Sequence, residues 1–134
     1  MRFNGHNVLA IIVAALVIYA IEFVIFGVAI SADQYMAFTG VTPEQLEGGA
    51  ARMPLGVIPP LLAAIGLSLA IKWRDKPGWM AGLVAGLIMA VLFGFGVGLY
   101  GYIYGSHAEA YLPVNLAHFL IAWGAAGAIL GAWR

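Results

Sequence analysis

Four stretches of this chain are long enough and apolar enough to cross a lipid bilayer. They cover about residues 6–31, 54–73, 79–104 and 113–133. A transmembrane helix needs about 20 apolar residues, and only helices or closed barrels satisfy their own backbone groups in lipid. None of the four stretches alternates between apolar and polar residues as a barrel strand does. We therefore expect an all-α membrane protein, in which one domain of 134 residues forms a bundle of four transmembrane helices.

The composition agrees with a membrane protein and excludes several other classes. Of all residues, 63% are hydrophobic and 9% are charged, whereas soluble domains carry about 25% charged residues. The formal net charge is zero, so the chain lacks the basic surface that nucleic acid requires, and we expect no nucleic-acid partner. The sequence contains no cysteine, which excludes disulfides, thiolate metal sites and cysteine nucleophiles.

The first apolar stretch could be mistaken for a signal peptide, because Arg2 precedes it. It covers residues 8–30, which exceeds the roughly 7–15 residues of a signal-peptide core. Cleavage after Ala29 or Ala32 stays open as an alternative. We expect a retained transmembrane helix, because a carboxylate such as Glu22 would be unusual inside a signal-peptide core.

The longest connection joins the first span to the second and contains the start of a helix. Thr42 can act as the N-cap, Pro43 suits the first helical position, and Gln45 completes a capping box. We expect a short amphipathic surface helix over about Pro43–Ala50, weakened near its end by two glycines.

The basic residues lie almost entirely on one side of a four-span arrangement. Arg52 is alone on one side, and the other side carries Arg2, Lys72, Arg74, Lys76 and Arg134. Aromatic residues form belts at both boundaries, with Trp73, Trp79 and Trp133 at the basic side and Tyr35, Tyr102, Tyr104 and Tyr111 at the other. The positive-inside rule places the basic side in the cytoplasm. We expect a multi-pass protein of the bacterial inner membrane with both termini cytoplasmic.

One carboxyl group, Glu22, lies deep inside the first apolar stretch. A charge there costs roughly 2.5–3.5 kcal/mol on insertion scales, so such residues usually face the bundle interior and have a partner. At the helical rise, Glu22 and His118 of the fourth span differ in depth by roughly 6 Å. Tyr19 and Asn115 lie one turn before them on the same helix faces. We predict a polar cluster of Tyr19, Glu22, Asn115 and His118 in the outer half of the bundle.

The chemistry of this cluster is open at the level of sequence. It could titrate, as a proton relay or a cation-coordinating pair, or it could be a structural hydrogen bond with Glu22 protonated, a contact worth about 0.6 kcal/mol. His118 could instead be an axial ligand to haem or a pigment. The chain has no HExxH motif and no carboxylate cluster, so we expect no metal site and no resident cofactor. No catalytic Ser–His–Asp set is visible within the spanning stretches, and we expect no enzyme.

Glycines recur at four-residue spacing in the third and fourth spans. They are Gly78, Gly82, Gly86, Gly94, Gly98, Gly127 and Gly131. Small residues at this spacing let helix backbones approach closely. We expect them to form helix-packing contacts, either inside one bundle or between copies in a homo-oligomer.

A proline pair interrupts the second span in its outer third. Pro60 cannot donate to the preceding turn, so Pro59 and Pro60 predict a kink in this helix. The kink could be static, or it could be a hinge or a cavity wall of the kind that broken helices form in transporters.

Several short motifs follow Glu22 along the chain. They are Phe26–Ser31, then Tyr35-Met36, then the Gly-Val-Thr-Pro-Glu-Gln-Leu run of residues 40–46. The chain resembles a family of small membrane proteins of bacteria and fungi called domain of unknown function 1761. Members show an aromatic end to the first helix, an aromatic–Met pair and a short helix starting at Gly-hydrophobic-Thr-x-Glu-x-Leu. Phe26-Gly27 replaces the family's Trp-Tyr pair, and Tyr35 replaces its Trp. The resemblance implies the four-span fold and a membrane location, and no activity.

The architecture is also similar to that of small multidrug resistance transporters, which have four short helices and a carboxylate in the first, here Glu22. By analogy, one alternative is a proton-coupled transporter of small cationic or polar solutes that uses Glu22. A further alternative is haem or pigment binding through His118. We expect foremost a non-enzymatic structural or accessory component, which contacts the lipid bilayer and assembles with itself or with a larger membrane complex.

Overall fold

The computed structural model describes residues 2–133 and consists almost entirely of helices. A two-stranded antiparallel hairpin, β1 (Arg2–Phe3) and β2 (His6–Asn7), leads into α1 (Val8–Glu22). The helix α1 continues as a π-helical stretch, Phe23–Ala29. The remaining elements are α2 (Ala32–Thr39), α3 (Pro43–Ala50), a 3-10 turn (Met53–Val57), α4 (Ile58–Arg74), α5 (Trp79–Met89), a second π-helical stretch (Ala90–Phe95), α6 (Gly96–Ile103) and α7 (Tyr111–Ala132).

Four helical segments are long and apolar enough to span a membrane. They are Val8–Ala29, Met53–Arg74, Trp79–Ile103 and Tyr111–Ala132, of 22 to 25 residues each. This confirms the all-α fold class, a bundle of four spanning helices with a short helix in the first connection. The chain is a small multi-pass membrane protein.

The two ends of the bundle differ in character. One end, called here the terminal face, carries the β1–β2 hairpin, the turn at residues 75–78 and Trp133. The other end, called here the loop face, carries α2, α3 and the connection at residues 104–110. Arg134, one of the five basic residues expected on the cytoplasmic side, lies outside the described residues.

The central element of the bundle is α7, which contacts α5, α1 and α4. The core is built mainly from alanines, with a few larger side chains between them. It comprises Ala10, Ala14, Ala15, Ile18, Ala64, Leu67, Ile71, Ala85, Ala122, Ala126 and Leu130. Small core side chains let the helix axes lie close together. Direct contact between helices therefore fills the core, and few large side chains are needed.

The closest helix contact joins α5 to α7 through glycines on both sides. A Cβ atom added at Gly82 or Gly86 would collide with the α7 backbone, and one at Gly127 would collide with the carbonyl of Gly82. At the end of this seam, the Gly78 N–H donates to the carbonyl of Gly131 at 3.2 Å. The backbones are therefore in direct contact along the seam.

Two further glycines of the third span make room for side chains of α7. A Cβ atom at Gly94 would meet the ring of Phe119, and one at Gly98 would meet the amide of Asn115. The structure thus places all seven glycines of the repeat against partners in the same chain.

The first connection contains two capped helices. The predicted helix α3 is present over Pro43–Ala50, and Thr42 and Gln45 form its capping box. The sequence analysis missed α2, although Ser31 and Gln34 form the same capping box at its start. The side chain of Ser106 donates to the carbonyl of Thr39 at 2.7 Å, so α2 is fixed against the third connection.

The proline pair lies at the start of α4 rather than within it. Pro59 and Pro60 occupy its first turn, directly after the 3-10 turn Met53–Val57. The first N–H groups of a helix have no intrahelical acceptor, so proline is tolerated there. The structure therefore accommodates both rings by a change of helix type, with Pro60 fully buried.

Candidate functional site

Two polar side chains from different helices meet inside the spanning region. Glu22 is the last residue of α1, and His118 lies in the second turn of α7. Nε2 of His118 lies 3.3 Å from Oε1 of Glu22. Each residue is seven positions from the loop-face end of its span, Ala29 or Tyr111, which is a depth of about 10 Å. The pair therefore lies in the loop-face half of the bundle.

The two members of the pair differ in access. The His118 side chain is 8% exposed, whereas the Glu22 side chain is 28% exposed. Glu22 follows Ala15 and Ile18 on the buried stripe of α1, and the π-helical stretch that starts after it has no buried residue. The carboxylate thus lies where the packed part of α1 ends, at the edge of the bundle interior.

The second ring nitrogen of His118 has no hydrogen-bond partner among the described residues. Nδ1 is buried and forms no hydrogen bond within residues 2–133. The ring contacts Phe26 edge-on at a centroid distance of 5.0 Å and Phe119 at 4.5 Å. A buried polar atom left unpaired costs about 1–3 kcal/mol. The site therefore holds one polar atom whose hydrogen-bonding capacity the surrounding protein does not use.

The other two residues of the predicted cluster take different positions. Asn115 is buried one turn before His118, and Tyr19 is half-exposed beside Gly56 of the 3-10 turn. Across the described chain, neither residue hydrogen-bonds to the pair. The structure brings together Glu22 and His118. Asn115 lies near them on the buried face of α7, and the Tyr19 ring lies beside the 3-10 turn that precedes α4.

A cavity of about 500 Å³ lies between the pair and the surface helices. Its walls come from the first π-helical stretch, α2, α3 and α7, and include Phe26, Ile30, Tyr35, Leu46, Met53 and Tyr111. Phe26 contributes to this wall and also contacts the His118 ring. One phenyl ring therefore separates the pair from an apolar, aromatic cavity at the loop face.

A second polar site, which the sequence analysis did not find, lies at the terminal face. Nδ1 of His6 lies 2.8 Å from Oγ of Ser68, joining β2 to α4. The two residues belong to the first and second apolar stretches, and both lie near the same membrane boundary. A depth comparison of the kind applied to Glu22 and His118 would have paired them.

The arrangement of His118 bears on its proposed role as a metal or haem ligand. Nε2 faces Glu22, and the ring packs against Phe26 and Phe119, so a planar macrocycle would have to displace one of these neighbours. Within residues 2–133, no group of three or more His, Asp or Glu side chains is placed to hold a metal ion. Ligation of a metal or haem by His118 would therefore require these neighbours to move.

Comparison with known protein families, curated proteins and solved structures finds no match to this chain. Its function is therefore inferred from the geometry of the pair.

Proposed function

We propose that this small multi-pass membrane protein is a non-enzymatic component of the bacterial inner membrane, and that its working part is a proton-binding site formed by Glu22 and His118. The observation that carries the proposal is the 3.3 Å contact between Oε1 and Nε2 at membrane depth. A carboxylate and an imidazole at this distance can share or exchange a proton without either group moving far. Ionisable residues in spanning segments commonly serve as proton relays.

Two features support proton binding over a purely structural hydrogen bond. Glu22 lies at the edge of the bundle interior with 28% of its side chain exposed, so protein packing does not seal the carboxyl group. The unpaired Nδ1 of His118 gives the pair a second position for a proton. A contact that only fastened two helices would be expected to satisfy its buried polar atoms.

The proposed orientation puts the terminal face in the cytoplasm. Arg2, Lys72, Arg74 and Lys76 lie at the terminal face, and Arg52 lies at the loop face. Under the positive-inside rule both ends of the described chain are then cytoplasmic. The pair lies in the outer half of the membrane.

A pH-jump measurement tests the proposal. Purified protein in lipid nanodiscs is shifted between mildly acidic and mildly alkaline pH, and proton uptake per protein is followed with a pH-sensitive dye. The wild type is expected to take up one proton more than Glu22→Gln, and Glu44→Gln serves as the matched control for loss of a surface carboxylate. Equal uptake by the wild type and Glu22→Gln across the whole range would refute the proposal.

A second candidate function is proton-coupled movement of small cationic or polar solutes. The observation that favours it is the aromatic cavity behind Phe26, since aromatic faces attract cations and Glu22 supplies a negative charge nearby. Proton release on addition of such solutes, lost in Glu22→Gln, would support it. Proton binding that does not change when solute is added would support the first function and contradict the second.

The proposal also covers self-association of the protein and its relation to a family. The glycine repeat is occupied inside the chain, so association with itself or with a larger complex would use another lipid-facing surface. We propose kinship with the family called domain of unknown function 1761 from the run of residues 40–46 alone, which contains the capping box of α3. The size of the detergent-solubilised complex, measured by light scattering, tests self-association.

A further inference from the structure

The phenyl ring of Phe26 lies between the Glu22–His118 pair and the loop-face cavity. Phe26 follows Glu22 by four positions, which is about one helical turn nearer the loop face, and it is half-buried within the π-helical stretch Phe23–Ala29. Its ring meets the His118 ring edge-on at a centroid distance of 5.0 Å, and it also forms part of the cavity wall. A path from the cavity to the pair therefore passes this ring.

The other directions of approach to the pair do not lead to water. Toward the terminal face, Ile18 of α1 and Ala122 of α7 each lie one turn beyond the pair and are fully buried in the core. Along the bundle edge Glu22 is 28% exposed, but the phase outside at this depth is hydrocarbon, which holds no water to exchange protons. The loop-face cavity is thus the approach that connects the pair with the aqueous phase.

The cavity has firmly held walls and enough room for a phenyl ring to move. Tyr111 is fixed by Phe38, which stacks on it at 5.8 Å, and by His107, which meets it edge-on at 5.2 Å. Another part of the wall is Leu46 of α3, a helix that has no buried residue and lies outside the spanning segments. A cavity of about 150 Å³ accommodates benzene, so the cavity of about 500 Å³ has room for the Phe26 ring.

We propose that Phe26 is the gate of the proton-binding site. Protons reach Glu22 and His118 from the loop face through the cavity, and the Phe26 ring swings into the cavity to let them pass. This inference rests on the proposed function of the pair, and it adds the route and the residue that controls it. With the ring displaced, hydronium from the cavity gives one proton to the pair and leaves as water. Phe26 itself binds no proton, so it sets the rate of exchange.

Cysteine labelling tests the gate without relying on proton binding, because the chain has no cysteine of its own. A small charged methanethiosulfonate reagent is added to single-cysteine variants in lipid nanodiscs. Leu46→Cys on the cavity wall is expected to react at least about tenfold faster than Glu22→Cys, since a minor open state is populated only about 0.1–10% of the time. Adding Phe26→Ala to Glu22→Cys should raise its labelling rate at least about tenfold. Phe23→Ala is the matched control from the same π-helical stretch, with a ring that is 61% exposed, and it should leave the rate unchanged.

Two results of the labelling would overturn the proposal. One is an equal rate for Leu46→Cys and Glu22→Cys, a comparison that leaves Phe26 in place and does not depend on how its variants fold. The other is a rate in Phe26→Ala no higher than that in Phe23→Ala. In sealed vesicles, Glu22→Cys should be reached from the side on which Glu47→Cys is labelled, and reaction from the opposite side alone would overturn the route.

Stopped-flow pH jumps separate the gate from the proton-binding site itself. Phe26→Ala is expected to take up as many protons as the wild type at a rate at least about tenfold higher, whereas Phe23→Ala should keep the wild-type rate. Uptake by Phe26→Ala at the wild-type rate overturns the gate and leaves the proton-binding site intact. Absence of uptake in the wild type instead refutes the proton-binding site, a result on which the labelling rates do not depend.

Discussion

Oε1 of Glu22 and Nε2 of His118 lie 3.3 Å apart, although 96 positions separate the two residues in the chain. The contact joins the end of α1 to the second turn of α7, and both residues lie seven positions from the loop face. It places a carboxyl group and an imidazole together in a mainly apolar region, with the buried amide of Asn115 one turn away on α7. Any account of this protein has to explain the pairing, because an unpaired charge at this depth would be costly.

The energetic link between the two residues can be measured with a double-mutant cycle. Glu22→Leu and His118→Leu each leave the other polar group without its partner, whereas the double variant removes both. We expect a coupling free energy of about 1 kcal/mol, which lies between the average of about 0.6 kcal/mol and the maximum of about 1.7 kcal/mol found for membrane hydrogen bonds. Reversible unfolding in bicelles provides the measurement. Tyr19→Phe should change the free energy of unfolding little, and effects that add within about 0.3 kcal/mol would contradict the coupling.

The close contact between α5 and α7 predicts that two Gly→Ala substitutions will change the free energy of unfolding by very different amounts. Gly86→Ala forces a Cβ atom against the backbone carbonyl of Trp123, whereas Gly66→Ala adds one with nothing within 4 Å. We expect Gly86→Ala to cost about 1–3 kcal/mol of unfolding free energy. Gly66→Ala should be neutral or stabilising by up to about 1 kcal/mol, because alanine is the better helix former. Equal unfolding free energies for the two variants would show that the seam is not closely packed.

The stability of α3 is expected to depend on pH, because Glu44 lies in its first turn. Hydrogen bonds from its own backbone N–H and from the Thr42 hydroxyl hold the pKa of the Glu44 carboxyl below its usual value. Since the pKa is lower in the folded state, the contribution of Glu44 to α3 is fully present above its unfolded pKa and is lost as the pH falls through the folded pKa. The protection of the α3 amides against hydrogen exchange, measured relative to the intrinsic exchange rate at each pH, should therefore fall in acid.

Two substitutions at position 42 test whether the Thr42 hydroxyl lowers the pKa of Glu44. Thr42→Val should raise the pKa of Glu44 toward its ordinary value and weaken the N-cap by about 0.5–2 kcal/mol. Thr42→Ser keeps the hydroxyl and should preserve both properties. NMR titration of the Glu44 side chain reads the pKa directly, and an unchanged pKa in Thr42→Val would contradict the assigned cause.

The absence of cysteine from the chain makes the orientation simple to test. Lys76→Cys marks the terminal face, and Glu47→Cys marks the loop face; both positions are exposed. With a membrane-impermeant maleimide on intact cells, Glu47→Cys should be labelled and Lys76→Cys should react only after the cells are opened. The reverse pattern would invert the proposed topology.

Features set by local chemistry could be predicted from the sequence. The four spans follow from apolar length, and α3 follows from Thr42, Pro43 and Gln45. The pairing of Glu22 with His118 could be predicted from depth alone, because a polar residue in lipid has few possible partners. The helix α2 was missed even though Ser31 and Gln34 carry the same capping signal as α3.

Other features depend on how the helices pack and could not be read from single residues. Nothing in the sequence marks Phe23–Ala29 as π-helical, since that backbone depends on the neighbours of α1. The prolines predicted a kink, but whether proline interrupts a helix depends on where the helix starts, and here α4 starts one residue before Pro59. The position of the Tyr19 ring beside Gly56 likewise depends on which element packs against that face of α1.

The protonation state of Glu22 is the most direct test of the central claim. Infrared difference spectra of the protein in lipid, recorded between acidic and alkaline pH, report the C=O stretch of each carboxyl group that gains a proton. Our account predicts a band from a group shielded from bulk water that disappears in Glu22→Gln, shifts in His118→Leu and persists in the surface control Glu44→Gln. A spectrum in which Glu22→Gln leaves every carboxyl band unchanged would contradict the assignment of Glu22 and His118 as a proton-binding site.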